Sequence, residues 1–192
     1  YFLQACDESN GHLVSIDIKD CSSISSSDRW TFIQSSSTDI DFIISKAPFL
    51  KNGIDILYID SLHLKSHIEK ELLGWYPYMN SGAHIFFDDV DSNPYRKGQR
   101  KDKYQVEIKR DEINEFVKAF FYSNENDLYM DVMFGSTGLA HLYKLCPKGT
   151  MPKKINPIIH RRRNILNMLR YCPKKIFSMQ TRKLINFFRK EK

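Results

Sequence analysis

Two short apolar runs in the middle of the chain end in acid. Ile54–Ile59 runs into Asp60, and Ala83–Phe87 runs into Asp88 and Asp89. Between them Leu64, Ile68, Leu72 and Trp75 recur at helical spacing, with Lys65/Glu69 and His67/Glu71 spaced as surface pairs. Two short strands joined by such a helix read as a βαβ unit, whose strands run parallel. Open α/β sheets place their chemistry just beyond the carboxyl ends of the strands. Asp60, His63, Asp88 and Asp89 are therefore expected at one mouth. If the strands are neighbours, their ends lie about 4.8 Å apart.

The remaining pattern extends this unit in both directions. Tyr1–Glu8 reads as the end of a helix, closed by Asn10-Gly11. A strand over His12–Ile16 closes on Asp17. After the Ser-rich connection Ser22–Ser27, a strand over Trp30–Gln34 leads into Ser35-Ser36-Ser37. Asp39–Ala47 reads as a helix stopped by Pro48. Beyond Asp89, the polar stretch Asp91–Arg110 contains Pro94 and Gly98 and reads as a lid, a substrate loop or a disordered segment. A helix over Asp111–Tyr122 would bury Ile113, Phe116, Val117 and Phe120. Two strands, Leu128–Phe134 and Leu139–Leu145, flank Gly135-Ser136-Thr137-Gly138, a hairpin signature. This order predicts an α/β fold: a doubly wound, mostly parallel, Rossmann-like sheet ending in an antiparallel hairpin.

Charge divides the chain. Residues 1–147 hold 15 Lys/Arg against 22 Asp/Glu, whereas residues 148–192 hold 14 Lys/Arg and one acid, Glu191. The net charge of +6 thus hides a mildly acidic body, 1–147, and a strongly basic tail, 148–192. No apolar run approaches the roughly 20 residues of a membrane span. The start, Tyr1-Phe2-Leu3-Gln4, has no basic lead and does not read as a signal peptide. The lack of an initiator Met suggests that the chain begins within a longer gene. Cys6, Cys21, Cys146 and Cys172 are far apart without a CxxC pair, as in thiols of a reducing compartment. No phosphate loop, nucleophile elbow or zinc spacing occurs.

The acids at the strand ends admit several roles. Asp17 can accept both hydroxyls of a ribose or simply cap the next turn. Asp60, Asp88 and Asp89 can hold Mg²⁺, which accepts one or two carboxylates and keeps waters. They can also act as or orient a general base, or be solvated. His63, three residues past Asp60, suits proton abstraction from a hydroxyl. Its bland reading is a helix-start residue bonded to its loop. His12, His67, His84, His141 and His160 read as structural or exposed.

At these residues the sequence resembles the class I S-adenosylmethionine-dependent methyltransferases. The nearest branch is the small bacterial O-methyltransferases of sugars and natural products, grouped with macrocin O-methyltransferases and "cephalosporin hydroxylase" relatives. The matching phrases are Gly11-His12-Leu13-Val14-Ser15-Ile16-Asp17, Asp55-Ile56-Leu57-Tyr58-Ile59-Asp60-Ser61-Leu62-His63 and Ser81-Gly82-Ala83-His84-Ile85-Phe86-Phe87-Asp88-Asp89. Gly135–Ala140 resembles the final hairpin. The likeness covers roughly residues 1–146. It implies S-adenosylmethionine as cofactor, with Asp17 on its ribose, Ser35 and Ser36 near its adenine and Asp60 facing it. It also implies that Asp60, Asp88 and Asp89 lie where metal-dependent members bind Mg²⁺, and that His63 and Asp60 act at the acceptor hydroxyl. Two departures stand out. The family's first strand and glycine-rich loop would precede Tyr1, so the chain is expected to be a fragment or inactive. Where many relatives read Asp-Gly-Asp-His, this chain reads Asp60-Ser61-Leu62-His63, which weakens the metal assignment.

The tail over Pro152–Lys192 reads as two amphipathic helices broken at Cys172-Pro173, flanked by Arg161-Arg162-Arg163, Lys174-Lys175 and Arg189-Lys190. Such a tail can pack on the body or a dimer partner, lie on anionic lipid, or grip nucleic acid, the last being the least expected. The first expectation is O-methylation of a sugar, glycolipid or related small molecule by a cytoplasmic enzyme, with residues 150–192 touching the inner face of the membrane. The alternatives are a catalytically silent module docked through its tail and, more weakly, an NAD-dependent enzyme.

Overall fold

The computed structural model describes residues 1–90, 104–135 and 137–159. Tyr1–Asn156 form one compact unit. Its elements alternate as the pattern requires: α1 (Phe2–Ser9), β1 (Leu13–Asp17), β2 (Trp30–Gln34), α2 (Ile40–Lys46), β3 (Ile54–Ile59), α3 (Lys65–Trp75), β4 (Met79–Asp88), α4 (Tyr104–Ser123), β5 (Leu128–Met133) and β6 (Leu139–Lys144). Asn10 ends α1 in the left-handed region at φ 58°, where Asn is tolerated, and its N–H bonds the Cys6 carbonyl.

Among the described residues the strands form two sheets, one of two strands and one of four. β1 and β2 are parallel, with Asp17 opposite Gln34. The four-stranded sheet has the order β3-β4-β6-β5. Here β3 and β4 are parallel, while β4/β6 and β6/β5 are antiparallel. Among the described residues, β1 and β3 each have a partner on one edge only. This is the expected Rossmann-like alternation with its closing hairpin.

Two apolar clusters hold the layers together. The larger packs Ile68, Leu72 and Tyr76 of the α3 region with Ile113, Phe116, Val117 and Phe120 of α4 against Ala83, Ile85 and Phe87 of β4. Each large side chain fully buried here contributes about 2 kcal/mol. The smaller joins Ile33, Ile43, Ile44 and Ala47 to Trp75, with Val14 and Ile16 of β1 and Leu57 of β3 on its rim. Leu57 and Ile54 touch both clusters, so β3 is the seam of the molecule.

Several boundaries differ from the sequence reading. α4 begins at Tyr104 and takes in residues 104–110, which read as loop. Those residues are mostly polar, but Arg110 packs under the sheet end, and the helix extends to carry it there. Residues 91–103 lie outside the described part. β4 begins at Met79, upstream of the expected turn at Ser81-Gly82. Gly82 (φ 85°) sits inside the strand, and the β3/β4 register shifts between Ile54 and Ile56, so the turn residues mark a bulge. Glu71, read as a surface residue, is buried at 3% exposure. Its neighbours Ile68 and Leu72 put it on the inward face of α3. Cys6, Cys21 and Cys146 are free thiols. No helix of the described residues is long and apolar enough to cross a membrane. The tail readings from His160 onward lie outside the described residues.

Candidate functional site

Register brings the site together. Ile59 pairs with Phe87, so Asp60 and Asp88 leave β3 and β4 side by side at the same end. β6 starts opposite, with Leu139 against Asp88, and its hairpin supplies Thr137 to this end. Thr137 Oγ1 donates to Asp88 Oδ1 at 2.9 Å, and the Asp89 N–H donates to the same oxygen at 2.8 Å. Asp89 adopts φ 56°. Left-handed backbone is uncommon for a non-glycine residue and points to a local constraint. Here it turns the Asp89 carboxylate inward, where the residue is only 8% exposed.

His63 stands between two acids. Its Nδ1 lies 2.9 Å from Asp89 Oδ2 and its Nε2 3.3 Å from Asp60 Oδ1. Asp89 Oδ1 in turn meets Arg110 Nη2 at 3.3 Å, and Glu107 lies 4.0 Å from the same guanidinium. Asp89 is thus balanced by a buried cation and free to orient an imidazole. A neutral imidazole donates through one nitrogen only. Assigning Nδ1–H to Asp89, the shorter contact, leaves no proton for the 3.3 Å Nε2–Asp60 contact, which is a hydrogen bond only in the imidazolium. The structure therefore brings together all four residues that the sequence placed at this mouth.

The metal set is differently disposed. Among the described residues no three His, Cys, Asp or Glu side chains are arranged to hold a metal ion. Asp89 is taken up by His63 and Arg110. A cation at this mouth would fall to Asp60 and Asp88 with water completing its shell, which Mg²⁺ accepts.

The second parallel pair carries the other candidates. Asp17 is exposed at the end of β1, and its Oδ1 accepts the Lys19 N–H at 2.8 Å. The Ser35 N–H bonds the Asp17 carbonyl at 3.0 Å, so these two are direct neighbours. Ser36 Oγ lies 2.9 Å from Thr38 Oγ1, and Ser37 Oγ lies 3.2 Å from His67 Nε2. A recess on the face of β1 and β2, lined by Leu3, Ser15, Cys21, Trp30 and Phe32, opens beside Asp17.

Two residues here escaped the sequence reading. Tyr58 sits near the mouth, and burial together with the Asp88, Asp60 and Asp89 carboxylates holds its phenol above the usual range. Its ring meets Phe2 edge-on at 6.0 Å, which places the start of α1 beside it. The period-2 pattern of β3 could have shown that Tyr58 and Ile56 share a face opposite Ile59. The other residue is Arg110, hidden because its stretch read as loop.

The match to known proteins follows this geometry. Residues 1–90 match a family model described as "Methyltransferase domain", just under half of the chain. A putative caffeoyl-CoA O-methyltransferase from Staphylococcus aureus superimposes with a TM-score of 0.53 at 12% identity, over 74% of this chain and 69% of that one. The chain shares the fold of that O-methyltransferase. The MycE methyltransferase from the mycinamycin biosynthetic pathway, in complex with Mg and SAH, aligns with a TM-score of 0.50 at 17% identity. That alignment covers 75% of this chain but only 39% of the MycE chain, so this methyltransferase-like chain spans well under two thirds of MycE's length. No curated protein matches the sequence.

Proposed function

We propose that this chain is part of an S-adenosylmethionine-dependent O-methyltransferase, with His63 as the general base. The observation that carries the reading is His63 suspended between Asp60 and Asp89 at the strand ends of a methyltransferase fold. The MycE structure in complex with Mg and SAH and the match of residues 1–90 support S-adenosylmethionine as the cofactor.

When bound, the cofactor supplies a methyl group already activated on a sulfonium. The protein then has to align an acceptor oxygen and remove its proton. Asp17 would accept the ribose hydroxyls, with Ser35 and Ser36 beside the adenine. The acceptor hydroxyl would approach His63 Nε2 on the Asp60 side. Nε2 would take up the proton of that hydroxyl. The resulting imidazolium can donate from both nitrogens, to Asp89 and to Asp60, so both acids stabilise the charge that develops. Mg²⁺, if used, would be held by Asp60 and Asp88.

A sugar or related natural-product hydroxyl is the proposed acceptor, from the sequence resemblance. Its recognition is assigned to residues 91–110, of which α4 holds the last seven. Residues 150–192 are proposed to hold the protein at an anionic membrane surface. The test uses the full-length gene product. Calorimetric binding of S-adenosylmethionine and methyl transfer to sugar acceptors are expected, and loss of vesicle flotation on removing residues 150–192. Failure to bind S-adenosylmethionine would sink the enzyme reading in favour of a silent docking module. Flotation unaffected by the truncation would remove the membrane role.

A further inference from the structure

One face of α3 reaches both loops of the site. Glu71 is a charged side chain packed among Ile68, Leu72 and Trp75, and its Oε2 accepts the Ser61 hydroxyl at 2.5 Å. Ser61 lies in the Asp60–His63 loop. The other carboxylate oxygen, Oε1, lies 3.8 Å from His67 Nε2, which in turn meets Ser37 Oγ at 3.2 Å. One turn further on, Trp75 Nε1 donates to the Ser37 carbonyl at 3.0 Å. Polar contacts therefore lead along one face of α3 from Ser61 through Glu71 to His67 and Ser37, the Glu71–His67 step being a 3.8 Å approach and not a hydrogen bond.

A carboxylate in an apolar layer is costly unless it is hydrogen-bonded. A single Ser partner elsewhere on the surface could satisfy it more cheaply. Here one oxygen meets Ser61 in the loop after β3, and the other faces His67 on its own helix, which carries the contact to Ser37. Moving the Asp60–His63 loop changes the partner of Glu71, and moving the Ser35–Ser37 loop changes the partners of His67 and Trp75 on the same helix face. That is a physical link of the kind that couples two sites.

We propose that Glu71 is a positioning residue that couples the cofactor loop Ser35–Ser37 to the base-bearing loop Asp60–His63. Binding of the nucleoside part of the cofactor at the first loop then holds Ser61, and with it His63, in place for the acceptor. The coupling is reciprocal: loosening Ser61 weakens cofactor binding at a loop that Ser61 does not belong to. The role in cofactor binding rests on the methyltransferase reading, whereas the mechanical link between the loops does not.

The test compares the full chain with its Ser61→Ala, Ser61→Thr, Glu71→Gln and Leu62→Ala variants. Leu62 is exposed in the same loop and serves as the control. Amide hydrogen exchange at residues 35–38 is expected to quicken severalfold in Ser61→Ala and Glu71→Gln. It should stay at the wild-type rate in Leu62→Ala and in Ser61→Thr, which keeps a hydroxyl. No change at 35–38 in Ser61→Ala, or an increase spread equally over all strands, overturns the link. Calorimetry with S-adenosylmethionine adds the functional arm, with Ser61→Ala binding about fivefold more weakly, at the low end of usual coupling factors. Equal binding by wild type and Ser61→Ala overturns the coupling. Absence of binding by the wild type overturns the methyltransferase reading instead, and exchange then decides the link by itself.

Discussion

His63 Nδ1 lies 2.9 Å from Asp89 Oδ2, and the same Asp89 carboxylate meets Arg110 at 3.3 Å through its other oxygen. The imidazole is thus oriented by an acid that is itself held by a buried cation. His63→Ala removes the proposed base and leaves Asp17 and Ser35, the proposed cofactor contacts, in place. The expected result is a fall in kcat of roughly 10²–10⁴-fold, the usual contribution of a positioned base. Affinity for S-adenosylmethionine, read by calorimetry, should be retained.

Asp89→Asn separates charge from backbone. Asn tolerates the left-handed region that Asp89 occupies, so the turn should survive. Arg110, buried at the sheet end, loses the nearer of two acidic neighbours. Breaking a buried pair costs about 3–5 kcal/mol, and the lower end is expected because Glu107 remains 4.0 Å away. Asp88→Asn keeps an acceptor oxygen for Thr137 and should cost less than about 1 kcal/mol. Urea unfolding of the two variants measures the contrast.

Stability should fall on mild acidification through His141. Burial foremost, and then His84, hold its imidazole below the ordinary value, against the raising effect of Asp131. His84 Nδ1 and His141 Nε2 are 2.9 Å apart, so two charged rings cannot coexist there comfortably. The folded chain therefore binds fewer protons than the unfolded one as pH drops. The contribution is fully present above about pH 6.5 and declines below it. Thermal midpoints at pH 7.5 and 5.0 should differ, and His141→Gln should flatten the difference.

Lys144 is the one fully buried ammonium among the described residues. Its Nζ donates to the carbonyls of Met79, Cys146 and Pro147 at 3.0, 2.9 and 2.8 Å, and it lies 5.1 Å from the Tyr76 ring centre. Lys144→Met fills the same space but leaves three carbonyls without this donor. A loss of about 3 kcal/mol is expected, since hydrogen bonds to charged groups are worth about 1.5–3 kcal/mol each and water will recover part. Chemical denaturation checks it.

Much of this was written in periodicity. The βαβ unit from Ile54 to Asp89 was legible because its two apolar runs and helical stripe have different periods, and its register then fixes the mouth. The contacts inside the mouth were not legible. That Asp89 turns left-handed and faces Arg110 depends on where α4 begins, and polar residues 104–110 carry no apolar stripe to show it. Glu71 was assigned by pair spacing to the surface, although Ile68 and Leu72 on the same face contradicted that. Lys144 could have been caught, since strict alternation in β6 puts it on the face of Ala140 and Leu142. Sequence rules resist burying a lysine because its partners are main-chain oxygens, which no residue name announces.

That lysine also gives the molecule a built-in clock. An amine wrapped in three carbonyls is closed to acylating reagents until the end of the sheet parts. The neighbouring Cys146 thiol, against the Tyr76 hydroxyl at 3.3 Å, is screened in the same place from alkylating ones. Two different chemistries thus time the same opening, so the lifetime of the closed sheet end can be read from how slowly the protein takes up label.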